Sequence, residues 1–313
     1  MRQALRMRTA GLLACALSLT GLSSCSSSGE QRASRPRGDE VVVSSFNFPE
    51  SALLAEIYAQ AVEAAGIPVR RELNLGPREL VQPALLAGLV DVVPEYLGSA
   101  LASLAGTEGT FTADAAAARD HLVTALLPWD VRVMDPSAAQ NQNGLVVSRA
   151  TAERHGLRAI SDLARLPGPV TLAGPSECPQ RPYCLPGLES RYGLRFAEFF
   201  AFDSESQRAT ALIDEVVDVA VMFTTDGRLA TGDLVLLTDD RALQPAENIV
   251  PVISGPALER YGAQLSGALN AVSAGLTSNG LSFVNWRIDT AGRDIATEAR
   301  GWLERHALVA GRP

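Results

Sequence analysis

The sequence contains no lysine. All 27 basic residues are arginine, set against 35 Asp and Glu, for a net charge of −8. With no basic stretch, nucleic acid is not an expected partner. Aromatic residues are scarce, 5% of the chain, so rings gathered near strand ends carry more weight than usual. The histidines are His121, His155 and His306, far apart in sequence, and neither a metal site nor a cofactor is expected. Catalytic signatures are missing too: there is no Gly-x-Ser-x-Gly elbow, Walker-type loop, His-Glu-x-x-His pair or Gly-x-Gly-x-x-Gly turn. The chain is therefore not expected to be an enzyme. An enzyme could still use Glu50 or Glu95 as general base, but each has a plainer reading, Glu50 as a cap partner and Glu95 as a surface acid. After residue 22 no run approaches the roughly 20 consecutive apolar residues of a membrane helix.

The N-terminus is an address. Arg2, Arg6 and Arg8 form a positive region, Ala10 to Leu22 is apolar, and Leu22-Ser23-Ser24-Cys25 follows. This resembles a bacterial lipobox, with residues 1–24 as signal peptide and Cys25 as the lipidation site. The mature chain would then be tethered to the outer face of the plasma membrane, in an extracytoplasmic setting. A plain signal peptide cut elsewhere is the competing reading. Without the three leader arginines, 24 basic residues face 35 acidic ones, a net charge of −11. Residues 25–38 read as the lipidated cysteine and a flexible polar linker. Cys15 goes with the signal, which leaves Cys178 and Cys184 as a close pair in an oxidising compartment, and a disulfide is expected.

Beyond the linker, β and α signals alternate, as in a parallel sheet flanked by helices. A strand over 41–44 is followed by a helix with Asn47 as N-cap and Glu50 as its capping-box partner. Thr112 is expected to cap an alanine-rich helix, and Ser161 another. The centre of the chain is Ala84 to Ser99, read as helix end, turn at Gly88 and short buried strand, with Pro94 stopping the ladder. That places Glu95, Tyr96 and Ser99 just past a strand end, where open α/β sheets hold ligands. The pattern recurs 127 residues later: Ala84, Leu85, Val90, Asp91 and Val92 match Ala211, Leu212, Val217, Asp218 and Val219, and Tyr96 falls on Phe223. Two similar lobes would enclose a cleft, although helix–turn–strand units look alike in any α/β protein. The lobes are expected at 39–138 plus 250–313 and at 139–249, with Pro251 marking an edge or crossover strand.

Phe46, Phe48, Tyr96, Tyr183 and Phe223 all lie near turns or strand ends. Rings facing a cleft can hold a cation; core packing is the competing role for each ring taken alone. Arg181, in the cysteine loop, could grip a carboxylate or could be a solvated surface arginine.

Phe46-Asn47-Phe48-Pro49-Glu50, the Pro-Glu-Tyr-Leu-Gly-Ser ending at Ser99, Cys178 to Tyr192, Phe223-Thr224-Thr225-Asp226-Gly227 and Leu243 to Pro251 occur in that order. On these motifs the chain resembles the substrate-binding lipoproteins of osmoprotectant ABC importers, the glycine betaine/choline/quaternary-amine family. The resemblance implies an α/β, bilobal type II periplasmic-binding-protein fold that closes on a small zwitterion or cation. It also implies a cognate ABC permease as partner and a monomer. It puts Tyr96 and Phe223 in an aromatic cage, Ser99 at a polar contact and Arg181 at a carboxylate. The full ligand-facing set is Phe46, Asn47, Phe48, Ser51, Tyr96, Ser99, Asn143, Arg181, Tyr183, Phe223, Thr224 and Thr225. Asn143 stands where many relatives carry tyrosine and Ser51 where many carry glutamine, and the loop 203–207 lacks a glycine pair common in similar sequences. These departures leave room for another ligand, such as ergothioneine, and a sensory lipoprotein without transport is a further alternative. On the cage reading, Tyr96→Ala and Phe223→Ala should each weaken binding and leave folding intact.

Overall fold

The computed structural model describes residues 38–105, 112–202 and 204–310. The signal peptide, Cys25, the linker up to residue 37 and Asp203 lie outside the described residues. The first half runs β1 (Val41–Phe46), α1 (Pro49–Ala64), β2 (Val69–Gly76), α2 (Arg78–Leu86), β3 (Val92–Tyr96), α3 (Leu97–Ala105), α4 (Ala115–Leu126) and β4 (Val131–Val133). It continues as β5 (Asn143–Ser148), α5 (Arg149–His155), β6 (Thr171–Gly174), the single turn α6 (Leu185–Gly187), β7 (Glu198–Ala201), α7 (Glu205–Ile213), β8 (Val219–Phe223) and β9 (Leu234–Leu237). Then come β10 (Ile249–Ser254), α8 (Gly255–Gly275), α9 (Ser278–Asp289) and α10 (Ile295–Arg305). No helix among the described residues is long and apolar enough to cross a membrane.

The strands form two five-stranded sheets, ordered β2-β1-β3-β10-β4 and β7-β6-β8-β5-β9. The two orders are equivalent. In each sheet a parallel trio is followed by one antiparallel strand, β10 or β5, which has just arrived from the other sheet. The duplicated motif read from the sequence is the unit α2–β3 and its counterpart α7–β8. Its aspartates explain themselves here. Asp91 accepts the Val42 N–H (3.0 Å) and the Ser254 hydroxyl (2.7 Å), while Asp218 accepts the Thr171 N–H and hydroxyl, both at 2.8 Å. Each ties the start of its strand to the neighbouring parallel strand, which is why an acid interrupts an apolar run.

Helices α1, α8, α9 and α10 share one apolar core with the first sheet, built around Leu53, Ile57, Leu269 and Trp302. Each such buried aliphatic side chain contributes roughly 1.5–3 kcal/mol. The second sheet has a cluster on each face. Cys178 and Cys184 are bonded as expected, with Cα atoms 5.2 Å apart, and pack within one of those clusters.

Several local expectations need correction. Pro94 does not end β3. It sits inside the strand opposite Pro251, and Pro251 lies in β10, which is not an edge but the strand that has just crossed back from the second sheet, the other of the two expected positions. Two prolines facing each other cost the ladder little, because the Pro251 carbonyl turns outward to accept from Met134 N–H (3.0 Å). Asn47 is not the cap of α1. Pro49 occupies the first turn, where no N–H is needed, and Phe48 is the N-cap without a side-chain bond. Asp114 caps α4 by accepting from Ala117 N–H, and Thr112 only supports Asp114. The segment Ile160–Arg165 is a 3-10 helix opened by the Asp162 carboxylate and not by Ser161. The sequence reading missed α3, α5 and the short edge strand β7, whose four residues show no alternation.

The chain passes from the first sheet to the second between β4 and β5 and returns between β9 and β10. The two passing segments are bridged side by side. Gln140 pairs with Asn248, the Asn141 N–H donates to the Glu247 carbonyl (3.2 Å), and the Gln142 amide donates to the Pro245 carbonyl (2.7 Å).

Candidate functional site

Parallel strands end together, so the loops after β1, β3 and β8 face a common space. A cavity of about 510 Å³ lies there, lined from the first sheet by Phe48, Glu50, Arg78, Tyr96 and Ser99 and from the second by Glu205, Phe223, Thr225, Asp226 and Arg228. Asn141 enters from a crossing segment, and Asn285 and Asp289 from α9. Tyr96 and Phe223, the matched final residues of β3 and β8, therefore meet the same cavity. A larger groove of about 630 Å³ along α1 and α10 is lined by arginine, glutamate and small residues without an aromatic ring.

The rings differ in how they are held. Phe223 is 47% exposed and Phe48 37%, so both present a face to the cavity. Tyr96 is only 5% exposed, stacked on Phe48 with centroids 6.2 Å apart, and Phe48 stacks in turn on buried Phe46. The Tyr96 hydroxyl donates to Glu50 Oε1 at 2.7 Å. Asn141 Nδ2 donates to the same oxygen (2.9 Å), and Asn285 Nδ2 reaches Glu50 Oε2 (2.8 Å) and the Thr225 carbonyl (2.9 Å). Burial first, and the Glu50 charge second, raise the Tyr96 phenol well above its ordinary value, so it stays a donor. Glu50 thus ties β3, a crossing segment and α9 together, and Asn285 carries the network on to the loop after β8.

Around the rings the cavity is acidic. Arg78 pairs with Glu95 at 2.8 Å, and Arg228 with Asp226 at 2.6 Å. Burial pushes Glu205 up to about 7, reinforced by Asp226 and opposed by the Phe223 N–H that donates to it at 2.7 Å. Burial also pushes Glu247 up to about 7, against the Ser99 N–H and hydroxyl that donate to it. Asp289, at the exposed rim, is raised by partial desolvation against the cavity wall and by Asp226. For a carboxyl raised in the folded state, the stabilisation is full below its unfolded value near 4.5 and is lost as pH rises through about 7. The ligand-free protein should therefore melt higher at pH 5.5 than at pH 8. Glu205 and Glu247 together would account for on the order of 1–3 kcal/mol, and Glu247→Gln should flatten the slope. A thermal melt series across pH 5–8 checks this; a Tm that rises with pH contradicts it.

Of the residues singled out from sequence, Phe48, Tyr96, Ser99, Phe223 and Thr225 line the cavity together. Phe46 and Ser51 are buried behind it, the Ser51 hydroxyl accepting the Phe46 N–H (2.9 Å). Asn47 is exposed, with its N–H on the Gly76 carbonyl. Thr224 braces a crossing segment, accepting from Gln142 N–H and donating to the Gln140 carbonyl, each at 2.9 Å. Asn143 is exposed opposite Phe223 in the β5–β8 ladder. Arg181 and Tyr183 stay with the disulfide turn, where Arg181 is exposed and Tyr183 packs on the second core. Among the described residues the guanidinium groups on the cavity are those of Arg78 and Arg228. Arg78 follows directly on a strand end, so its position was legible; Asn285 and Asp289 lie in a late helix with no local signal. Glu95 is buried and ion-paired, not a surface acid, and Glu50 accepts three donors instead of closing a capping box. Neither arrangement offers a free general base.

Residues 39–305 match the family model described as the substrate binding domain of the ABC-type glycine betaine transport system. The glycine betaine-binding protein YehZ of Escherichia coli (strain K12) is 26% identical over 270 residues, covering 82% of this chain and 87% of its own. A glycine-betaine-binding protein of Pseudomonas aeruginosa is 27% identical over 274 residues, covering 84% and 86%. The solved structure of a glycine betaine/carnitine/choline ABC transporter superposes with a TM-score of 0.80 at 23% identity, over 86% of this chain and 99% of that one. The architecture is the type II periplasmic-binding-protein fold.

Proposed function

Because the chain belongs to the family of substrate-binding domains of ABC-type glycine betaine transport systems, we propose that its cavity captures a quaternary amine of the betaine, carnitine or choline type for delivery to an ABC importer. The observation that carries this reading is the meeting of Tyr96 and Phe223, equivalent strand ends of two equivalent sheets, on one cavity beside Phe48. A desolvated quaternary ammonium gains about 0.5–2 kcal/mol from each ring face it touches. The bridged segments between the sheets serve as a hinge, with lobes at 39–138 plus 250–313 and at 139–249. Closure buries the ligand and shifts the population toward the form a permease engages. Cys25 anchors the mature, monomeric receptor to the outer face of the plasma membrane. Transport relies on closure and release, with no covalent step.

The test is calorimetric titration of the chain from Ser26 onward, which includes both sheets, with glycine betaine, choline, carnitine, proline betaine and ergothioneine. Micromolar or tighter binding of a quaternary amine is expected. A folded sample that binds none of the quaternary amines, or ergothioneine alone, overturns the reading.

A further inference from the structure

The charged side chains on the cavity are not balanced. Among the described residues four carboxyls line it, those of Glu50, Glu205, Asp226 and Asp289, against the two guanidinium groups of Arg78 and Arg228. Both arginines are already committed. Arg78 donates to Glu95 (2.8 Å) and lies 4.7 Å from the centroid of Phe46. Arg228 donates to Asp226 (2.6 Å) and to the Ser206 hydroxyl (2.9 Å), with Glu205 at 3.8 Å. A ligand carboxylate could recruit either one only by taking it from a buried acid, which would leave that acid uncompensated.

The remaining acids outnumber the cations that approach them, and above about pH 7 Glu205 is charged as well. The three donors on Glu50 are neutral, so they orient the carboxylate without cancelling it. Arg208, behind the strand end, approaches Glu205 at 3.5 Å, yet it must serve an acidic pair, since Asp226 lies against Glu205. Glu247 adds another carboxyl behind Ser99. Asp289 is the last residue of α9, a 12-residue helix, so its carboxylate and the negative end of that helix share the same rim. Field and hydrogen-bonding capacity both favour positive charge and donors.

We propose that this cavity selects organic cations lacking a carboxylate, choline-like alcohols or amines, over zwitterionic betaines, with Asp289 and Glu205 receiving the polar end of the ligand. The selection rests on the receptor reading given above and narrows its substrate class. The quaternary head sits against Phe48, Tyr96 and Phe223, and the hydroxyl or second amine donates to the Glu205 and Asp289 carboxylates beside them. A betaine placed the same way sets its own carboxylate against them.

Choline and glycine betaine, titrated by calorimetry into the wild type, Asp289→Asn and Glu205→Gln, test the selection. The expected wild-type result is choline binding at least about 10-fold tighter than glycine betaine. Asp289→Asn should reduce that ratio by roughly 3–10-fold, by weakening choline and leaving glycine betaine equal or tighter. Asp289 is exposed, so this variant keeps its fold, which its melting curve checks, and Glu205→Gln is the second probe of the same end. Glycine betaine equal to or tighter than choline overturns the selection while the receptor reading stands. A ratio unchanged in both variants overturns the assigned residues. Silence from both ligands and from every other quaternary amine overturns the receptor reading, and the selection with it.

Discussion

Phe223→Ala is expected to weaken quaternary-amine binding roughly 10–50-fold while shifting Tm by no more than about 2 °C. The ring closes β8 and stands 47% exposed, so little of the core depends on it. Its loss removes one cation-binding face and the apolar area it would cover, together about 1.5–2.5 kcal/mol of binding. The backbone N–H of residue 223, which donates to Glu205, is retained in the variant. Calorimetry and a melting curve on one preparation decide the matter. Unchanged affinity would remove Phe223 from the site. Tyr96 does not offer the same clean experiment, contrary to what the sequence suggested. It is buried, stacked and bonded to Glu50, so Tyr96→Ala opens a cavity costing about 3–5 kcal/mol and mixes folding with binding. Tyr96→Phe, which keeps the ring and loses one donor, is the informative replacement.

Glu50→Ala should be the most destabilising single change at the site, about 3–5 kcal/mol, or roughly 8–15 °C in Tm. The carboxylate collects the Tyr96 hydroxyl, Asn141 Nδ2 and Asn285 Nδ2, so its removal strands donors from β3, a crossing segment and α9 together. Those donors are buried or half-buried, and water cannot satisfy all of them without opening the packing. Glu50→Gln should be intermediate. It preserves the Oε1 acceptor but sets an NH2 group against Asn285 Nδ2, which also donates to the Thr225 carbonyl and cannot turn without losing that bond. Melts of wild type, Gln and Ala should fall in that order. Equal stability in all three would mean that the network is not what joins the two sheets here.

Local, repeated signals pointed to two similar lobes, and the resemblance carried by the ordered motifs implied the bilobal fold. The Asp91 and Asp218 motifs, separated by 127 residues, marked two equivalent strands, and their final residues Tyr96 and Phe223 marked a shared cavity. Two cysteines in a short loop were enough to expect the disulfide. Such features are legible because turns, caps and strand periods depend on neighbours a few residues away. Even there, Pro49 displaced the expected cap, and Pro251 in β10 was as compatible with an edge as with a crossover strand.

The polar half of the site was decided elsewhere in the molecule. Arg181 had the right chemistry in a stiff loop, but the fold leaves it with the disulfide turn and brings Arg78 and Arg228 to the cavity, each already held by a carboxylate. Asn285 and Asp289 arrive from a helix well over two hundred residues after Glu50, and Asn141 from a segment passing between the sheets. Which charges cancel depends on distances of a few ångströms between such distant stretches, because Coulomb energy and desolvation act through space and not along the chain. The sequence by itself carried the alternation and the duplicated strand ends that place Tyr96 and Phe223, because those signals are local. Only the tertiary structure decided the sign of the charge that faces those rings.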